Sequence, residues 1–263
     1  MDKRIDRGGL AALRTRLSRR DLLGFAAKGA ASVIVTQSLI SCATDSVAGT
    51  DSGTGGSTTE GSTPSCVLTA ALTEGPYFVD EKLNRSDIRS DPVTGAVSTG
   101  VPLALTFNVS RVASSACTPL TGAYLDVWHC DAAGNYSDVS GGGAGRKFLR
   151  GYQITDANGQ AVFTTIYPGW YSGRAVHVHF KLRLIVGATT TYEFTSQFFL
   201  DEALTSVIHA NSPYNTRGQR NTLNSTDGIY NSLSAAQKAA LTLQAAPSAT
   251  GYTGTINLGV RVG

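Results

Sequence analysis

Residues 168–182 read PGWYSGRAVHVHFKL, and their periodicity decides how the chain folds. Pro168-Gly169 is a turn signal. From Arg174 to Ile185 the residues suit an extended strand, whose side chains point alternately to its two faces. Val176, Val178, Phe180 and Leu182 then share one face, the core side. Ala175, His177, His179, Lys181 and Arg183 share the other. Both imidazoles therefore point the same way, close enough to share one metal ion. The chain has only four His. An HxH pair among them is either a metal site or two histidines on a solvent-facing strand surface.

The same period of two recurs on both sides of this stretch. Val101 to Val109 places Val101, Leu103, Leu105, Phe107 and Val109 on one face. Ala123 to Cys130 reads as a second strand. Phe148 to Thr155 and Gln160 to Thr165 flank the turn-forming run Asp156-Ala157-Asn158-Gly159. Thr190 to Leu200 reads as another strand, and Thr255 to Val262 as a last one sealing a sheet. Helical signals are few: a short helix over Asp201 to Ala210, and one over Ser234 to Leu243 with Ser232 or Ser234 as N-cap. Many short strands at this spacing predict a mainly β fold, a β-sandwich with few short helices.

The N-terminus has a different character. The first 41 residues hold eight of the 22 Lys and Arg and three of the 19 acids, leaving 14 basic and 16 acidic residues, a net charge of −2. The basic balance thus belongs to the N-terminus and does not argue for nucleic-acid binding. Ser18-Arg19-Arg20-Asp21-Leu22-Leu23 is a twin-arginine pattern, a mild apolar segment follows, and Leu39-Ile40-Ser41-Cys42 resembles a bacterial lipobox. Residues 1–41 are therefore expected to be an export signal, with Cys42 as the lipidated residue that tethers the protein to the outer face of the membrane. A membrane anchor over Leu22 to Ile40 is the alternative, weakened by Lys28, Gln37 and the small residues. Residues 42–64, rich in Ser, Thr and Gly, read as a flexible tether. Residues 65–263 are left as one domain.

Three cysteines follow Cys42, at 66, 117 and 130, without the spacing of a zinc site. Outside the cytoplasm a disulfide is permitted. Cys66 with Cys117 is the favoured pair, because Cys130 adjoins the candidate site.

Two tyrosines lie near the two histidines. Tyr171 follows the Pro168-Gly169 turn, six residues before His177, and Tyr136 follows the strand ending in Trp128-His129-Cys130. A phenol ordinarily titrates near pH 10, so a phenolate at neutral pH needs a strong Lewis acid. Ferric iron suits oxygen anions with imidazole, whereas zinc more often takes Cys, His or carboxylate. His129 reads as structural and His209 as a surface residue. Arg146, Lys147 and Arg150 read as a solvated rim.

The stretches TEGPYF (73–78), VWHCDAAGNYS (127–137), RGYQITDANGQAVFTTIYPGWYSGRAVHVH (150–179) and SQFFLDE (196–202) together resemble the intradiol ring-cleavage dioxygenases. These include the protocatechuate and catechol dioxygenases, and the chain is most similar to their exported single-domain branch. The resemblance spans most of residues 65–262. It implies a prealbumin-like β-sandwich and a non-haem Fe(III) cofactor. It implies Tyr136 as a retained equatorial ligand, Tyr171 as an axial ligand that leaves when substrate binds, His177 as equatorial and His179 as axial. It implies that Arg174 stabilises the bound catecholate, with Gln197 beside it, and that Gly75, Pro76 and Tyr77 line the mouth and touch the substrate ring. The implied reaction takes a catechol-type diol and O2 to a cis,cis-muconate-type product. The interval from Tyr171 to His177 is shorter than in the catechol and protocatechuate enzymes, so their substrate specificity does not carry over. The chain also lacks the long N-terminal helical region of the catechol-type enzymes, so their dimer interface is not implied. Two other readings use the same fold: a lipoprotein that binds an aromatic or a metal without turnover, and a transthyretin-like domain with no metal.

Overall fold

A computed structural model describes residues 67–113, 116–139 and 142–262. The expected export signal and tether, with Cys42, and also Cys66 lie outside the described residues. Cys117 is disulfide-bonded and Cys130 is a buried free thiol. Among the described residues no helix is long and apolar enough to cross a membrane.

The strands are β1 (Pro102–Ala113), β2 (Ala116–Pro119), β3 (Tyr124–Trp128), β4 (Arg150–Ile154), β5 (Gln160–Ile166), β6 (His177–Val186), β7 (Thr189–Leu200), β8 (Thr242–Leu243), β9 (Ala246–Pro247) and β10 (Tyr252–Val260). They form two sheets. In the first, β1 pairs in parallel with β10 and antiparallel with β5 and β2, while β9 flanks β10. The second runs in the order β4-β3-β6-β7-β8. The fold is thus mainly β, as the period-two pattern predicts. The turn between β4 and β5 closes as the Asp-Ala-Asn-Gly run requires: Asp156 Oδ1 accepts from the amides of Asn158 (2.9 Å) and Gln160 (2.7 Å).

The alternating apolar residues of both sheets meet in one core. Leu103, Leu105, Phe107, Val109, Ile256 and Leu258 from the first face Leu125, Val127, Val178, Phe180, Leu182 and Phe198 from the second, all at most 2% exposed. Phe107 is the hub: its ring centroid lies 5.8–6.0 Å from those of Phe163, Phe180 and Phe198. Burying each such ring contributes roughly 1.5–3 kcal/mol.

The opposite face of the second sheet is also covered. Residues 72–85, with few regular elements of their own, run across it and along its β4 edge. Leu72 N donates to Thr195 O (3.1 Å) and Arg85 N to Tyr152 O (3.1 Å). Glu74 pairs with Lys181, and Asp80 with Arg183 (2.9 Å). The Lys181 ammonium sits 4.0 Å from the Phe78 ring centroid, a cation–π contact. Arg183 also pairs with Asp126 (2.7 Å), whose carboxyl is pushed up to about 6 by burial against the pull of that guanidinium. His177, His179 and Lys181 are consequently 2%, 1% and 5% exposed, so a solvent-facing surface for the HxH pair is excluded.

Three α-helices lie in the connection between β7 and β8. They are α1 (Glu202–His209), capped by Asp201, α2 (Gly228–Asn231), capped by Asp227, and α3 (Ala235–Leu241). Ser234 caps α3 in a box with Gln237, one of the two predicted caps. His209 is a correction: it is buried, stacked at 4.9 Å on Tyr214, with Nε2 2.9 Å from the Pro168 carbonyl. The last turn of α1 packs inward there. Arg150 is the second correction: it is 3% exposed, whereas Arg146 and Lys147 do lie at the surface as ion pairs with Asp91 and Glu81.

Candidate metal centre

Strand β6 supplies the two imidazoles, and two loops bring the phenols to them. Tyr171 Oη lies 3.1 Å from His177 Nε2, which lies 3.0 Å from His179 Nε2. The Tyr136 ring is 5.8 Å from that of Tyr171 and 6.3 Å from that of His179. His177 Nδ1 is 2.6 Å from the Ala175 carbonyl. A carbonyl only accepts, so Nδ1 carries the proton and Nε2 presents a lone pair to the centre. The Tyr136 hydroxyl is buried and without a hydrogen-bond partner.

These features fit a metal ion. Donors at right angles about a first-row ion, with bonds near 2.1 Å, stand about 3.0 Å apart, as Tyr171 with His177 and His177 with His179 do. The orphaned Tyr136 hydroxyl needs a partner, since an unmet buried hydroxyl is costly. Among the described residues no group of three or more His, Cys, Asp or Glu could hold a metal. The donors at this point are therefore phenol and imidazole, a set for a hard, strongly acidic ion.

The electrostatics agree with that requirement. Burial, helped by Arg174, holds His177 down to about 3, and burial with its neighbour His177 holds His179 well below the ordinary imidazole value. Both rings are neutral and free to ligate. Burial pushes Tyr171 up to about 12, against the pull of Arg174, and raises Tyr136 well above an ordinary phenol. Neither phenol ionises alone near neutrality, so only a strong Lewis acid would convert them to phenolates.

The two loops are held together by glycines. Gly134, at φ +80°, approaches Trp170 so closely that a Cβ would lie 2.1 Å from its carbonyl oxygen. A Cβ on Gly169 would lie 2.4 Å from Asp131 O. The loop carrying Tyr136 and the turn carrying Tyr171 thus touch backbone to backbone, which only glycine permits. Aromatic rings wall the centre. Trp128 stacks on His179 at 5.0 Å and 7°, and Tyr77 stacks on Tyr136 at 4.4 Å. Gly75 brings the covering segment over His179, where a Cβ would meet the ring at 3.5 Å. Gly75, Pro76 and Tyr77 therefore stand at the edge of the centre.

Arg174 and Gln197 also converge here. Gln197 lies opposite His179 in the sheet register, its Oε1 accepts from Arg174 Nη2 (2.5 Å), and its Nε2 donates to Thr73 O (3.3 Å). One partner is absent from the sequence reading. Asp227 is 1% exposed; its Oδ2 accepts from Arg174 Nε (2.9 Å) and Ala175 N (2.8 Å). The only signal in the sequence is an Asp positioned to cap a four-residue helix, which says nothing of Arg174 53 residues away.

Comparison with known proteins gives this geometry a family. A family model described as dioxygenase matches residues 73–201. The dioxygenase Tetur07g02040 is 30% identical, with a TM-score of 0.65, over 75% of this chain and 95% of that one. An intradiol ring-cleavage dioxygenase from Tetranychus urticae is 29% identical, with a TM-score of 0.64, over 74% of this chain and 95% of that one. The chain belongs to the intradiol ring-cleavage dioxygenases. Chlorocatechol 1,2-dioxygenase of Rhodococcus opacus is 26% identical over 43% of this chain, and the match spans 51% of that enzyme's own length. What this intradiol family member shares most fully with its relatives is thus the sandwich described here.

Proposed function

We propose that the protein is a non-haem Fe(III) dioxygenase that cleaves a catechol-type aromatic diol with O2, between the two hydroxylated carbons, to a cis,cis-muconate-type product. The observation that carries this reading is the convergence of two phenols and two imidazoles beside a fixed guanidinium. Tyr136, Tyr171, His177 and His179 would hold the ion. When bound, the ferric ion supplies Lewis acidity, drawing electron density from a catecholate so that its ring reacts with O2.

The side chains have separable tasks. Tyr136, fully buried and stacked under Tyr77, is the anchor with no room to swing. Tyr171 is half-buried at the rim, so its oxygen, if ionised by the bound ion, would be placed to take a proton from an incoming diol. Arg174 is part-exposed and always charged, and its remaining donors can meet the substrate's oxygen anions. Gln197 and Asp227 fix the plane of that guanidinium, which keeps its charge aimed at the centre. Trp128 and Tyr77 exclude water from the other sides, which strengthens each of these interactions. The twin-arginine pattern and Cys42 support a site of action on the outer face of the membrane.

The test is iron content, colour and oxygen uptake. Purified protein is expected to carry about one iron, to be reddish from tyrosinate-to-iron charge transfer, and to consume O2 with one or more of catechol, hydroxyquinol and protocatechuate. Tyr136→Phe and His177→Ala are each expected to abolish both colour and turnover. Turnover retained in either variant, or native protein free of iron, refutes the assignment. Colour without oxygen uptake on any aromatic diol would instead mark a protein that binds without catalysis.

A further inference from the structure

Arg150 opens β4 and is buried, yet among the described residues it forms no ion pair, and Glu81 and Asp138 act on it only from beyond contact distance. Its Nε donates to Ser137 Oγ (2.7 Å), its Nη2 to the Ser137 carbonyl, and its Nη1 to the Tyr77 carbonyl (3.3 Å). Its own carbonyl accepts from Nε (3.0 Å) and Nη2 (2.7 Å) of Arg85, which also donates to Ser90 O and Lys147 O. Burying a permanent cation without a directly paired counter-charge is costly. Burial duly pulls the Arg150 guanidinium below its ordinary range. A core position that only needed filling would carry an apolar residue. What the guanidinium gains instead is geometry: a planar fork that reaches three acceptors at once.

Those acceptors are not arbitrary. Ser137 directly follows Tyr136, and Tyr77 is the ring stacked on Tyr136 at 4.4 Å. The connection between β3 and β4, residues 129–149, is long and glycine-rich at its tip. Tyr136 sits in its middle, with no strand to hold it. The loop is pinned on one side by Gly134 against Trp170 and on the other by Arg150. Ser137 Oγ passes the restraint on, donating to Phe148 O at 2.6 Å.

We propose that Arg150 is a positioning residue: its guanidinium ties Ser137, the residue after Tyr136, to the Tyr77 carbonyl, setting where the Tyr136 phenol stands relative to Tyr171 and His179. The inference rests on Tyr136 being a ligand in the proposed function. Arg150 touches neither substrate nor the reacting atoms, and acts through the tyrosine.

The test uses metal-free full-length protein titrated with ferric ion supplied as its citrate complex. Iron affinity, the position of the visible charge-transfer band and the thermal midpoint are measured for wild type, Arg150→Gln, Arg150→Lys and Ser137→Ala. Removing a residue that orients a ligand typically lowers metal affinity about 10–100-fold, and that loss with a shifted band is expected for Arg150→Gln. Arg150→Lys keeps the charge but not the fork, so it is expected to rescue less than half of the lost affinity on a logarithmic scale. Ser137→Ala removes one acceptor and is expected to lose about 10-fold, near the low end of what a hydrogen bond to a charged group is worth. A lower thermal midpoint with unchanged affinity and band would reduce Arg150 to a folding role and overturn the proposal. If Arg150→Gln does not fold, Ser137→Ala decides it: wild-type affinity and band there overturn it as well. Wild-type protein that takes up ferric ion with no visible band removes Tyr136 as a ligand, and so refutes the site itself along with this inference.

Discussion

Replacing Asp227 with Asn tests how the guanidinium beside the centre is held. The carboxylate meets four donors. Oδ1 accepts from Ile229 N (2.8 Å) and Tyr230 N (2.9 Å), capping α2, and Oδ2 accepts from Ala175 N (2.8 Å) and Arg174 Nε (2.9 Å). An amide keeps one oxygen and turns an NH2 group toward the other pair. With the oxygen on the cap, Arg174 and Ala175 each face a donor. A hydrogen bond to a charged group is worth roughly 1.5–3 kcal/mol and an orphaned buried amide costs roughly 1–3 kcal/mol. The expected loss of stability at pH 7 is therefore about 3–5 kcal/mol, the range found when a buried ion pair loses one partner. Urea unfolding followed by circular dichroism reads it. The pH dependence adds a second condition. Burial raises the Asp227 carboxyl, but hydrogen bonds from Tyr230, Ala175 and Arg174 outweigh it and hold the group below the ordinary carboxylate value. A folded pKa below the unfolded one gives stability that is present above the unfolded value, about 3.9, and lost as pH falls through the folded value. Asn does not titrate, so the gap between wild type and variant is expected to narrow below about pH 4. A loss under about 1 kcal/mol at pH 7, or a gap that stays constant into acid, would refute the reasoning.

Gly134→Ala combines a left-handed backbone with a clash against Trp170 O, whereas Gly122→Ala, at φ +77° with nothing within 4 Å of its Cβ, has the backbone cost alone. The first is expected to lose about 3 kcal/mol and iron affinity, the second about 1–2 kcal/mol with iron affinity intact; urea midpoints and iron titration read both. His209 is held by burial at about 4, below its ordinary value of about 6.5. The unfolded chain takes up that proton first, so stability falls as pH drops from about 6.5 to 4, by up to about 3 kcal/mol. His209→Gln, which can still donate to Pro168 O, is expected to remove that part of the acid sensitivity in urea titrations across this range. Tyr136→Phe and His177→Ala carry the prediction on colour and turnover, and Arg150→Gln the one on ferric affinity.

The fold class was readable because side-chain period is a property of the chain itself. Val176, Val178, Phe180 and Leu182 could only fall on one face of a strand, and His177 with His179 on the other. The four candidate donors were readable in two steps: HxH with two nearby tyrosines is a local pattern, and their combination as one ligand set came from the resemblance to the intradiol dioxygenases. Other features were not legible. Arg150 looks like its surface neighbours Arg146 and Lys147, and His209 looks like a residue on the open side of a short helix. Asp227 looks like a cap and nothing more. The parallel pairing of β1 with β10 joins strands about 150 residues apart and leaves no mark in either.

What the sequence determined alone was which side chains share a face and which residue types stand on it, because pleating and residue type are set within a few bonds. What the tertiary structure decided was what lies over that face. Residues 72–85 carry no repeating pattern and find their place only through contacts with a sheet formed later in the chain. Their cover keeps the two paired histidines away from water, as neutral imidazoles fit to ligate. It also turns Arg150 from an expected surface charge into a buried fork beside Tyr136.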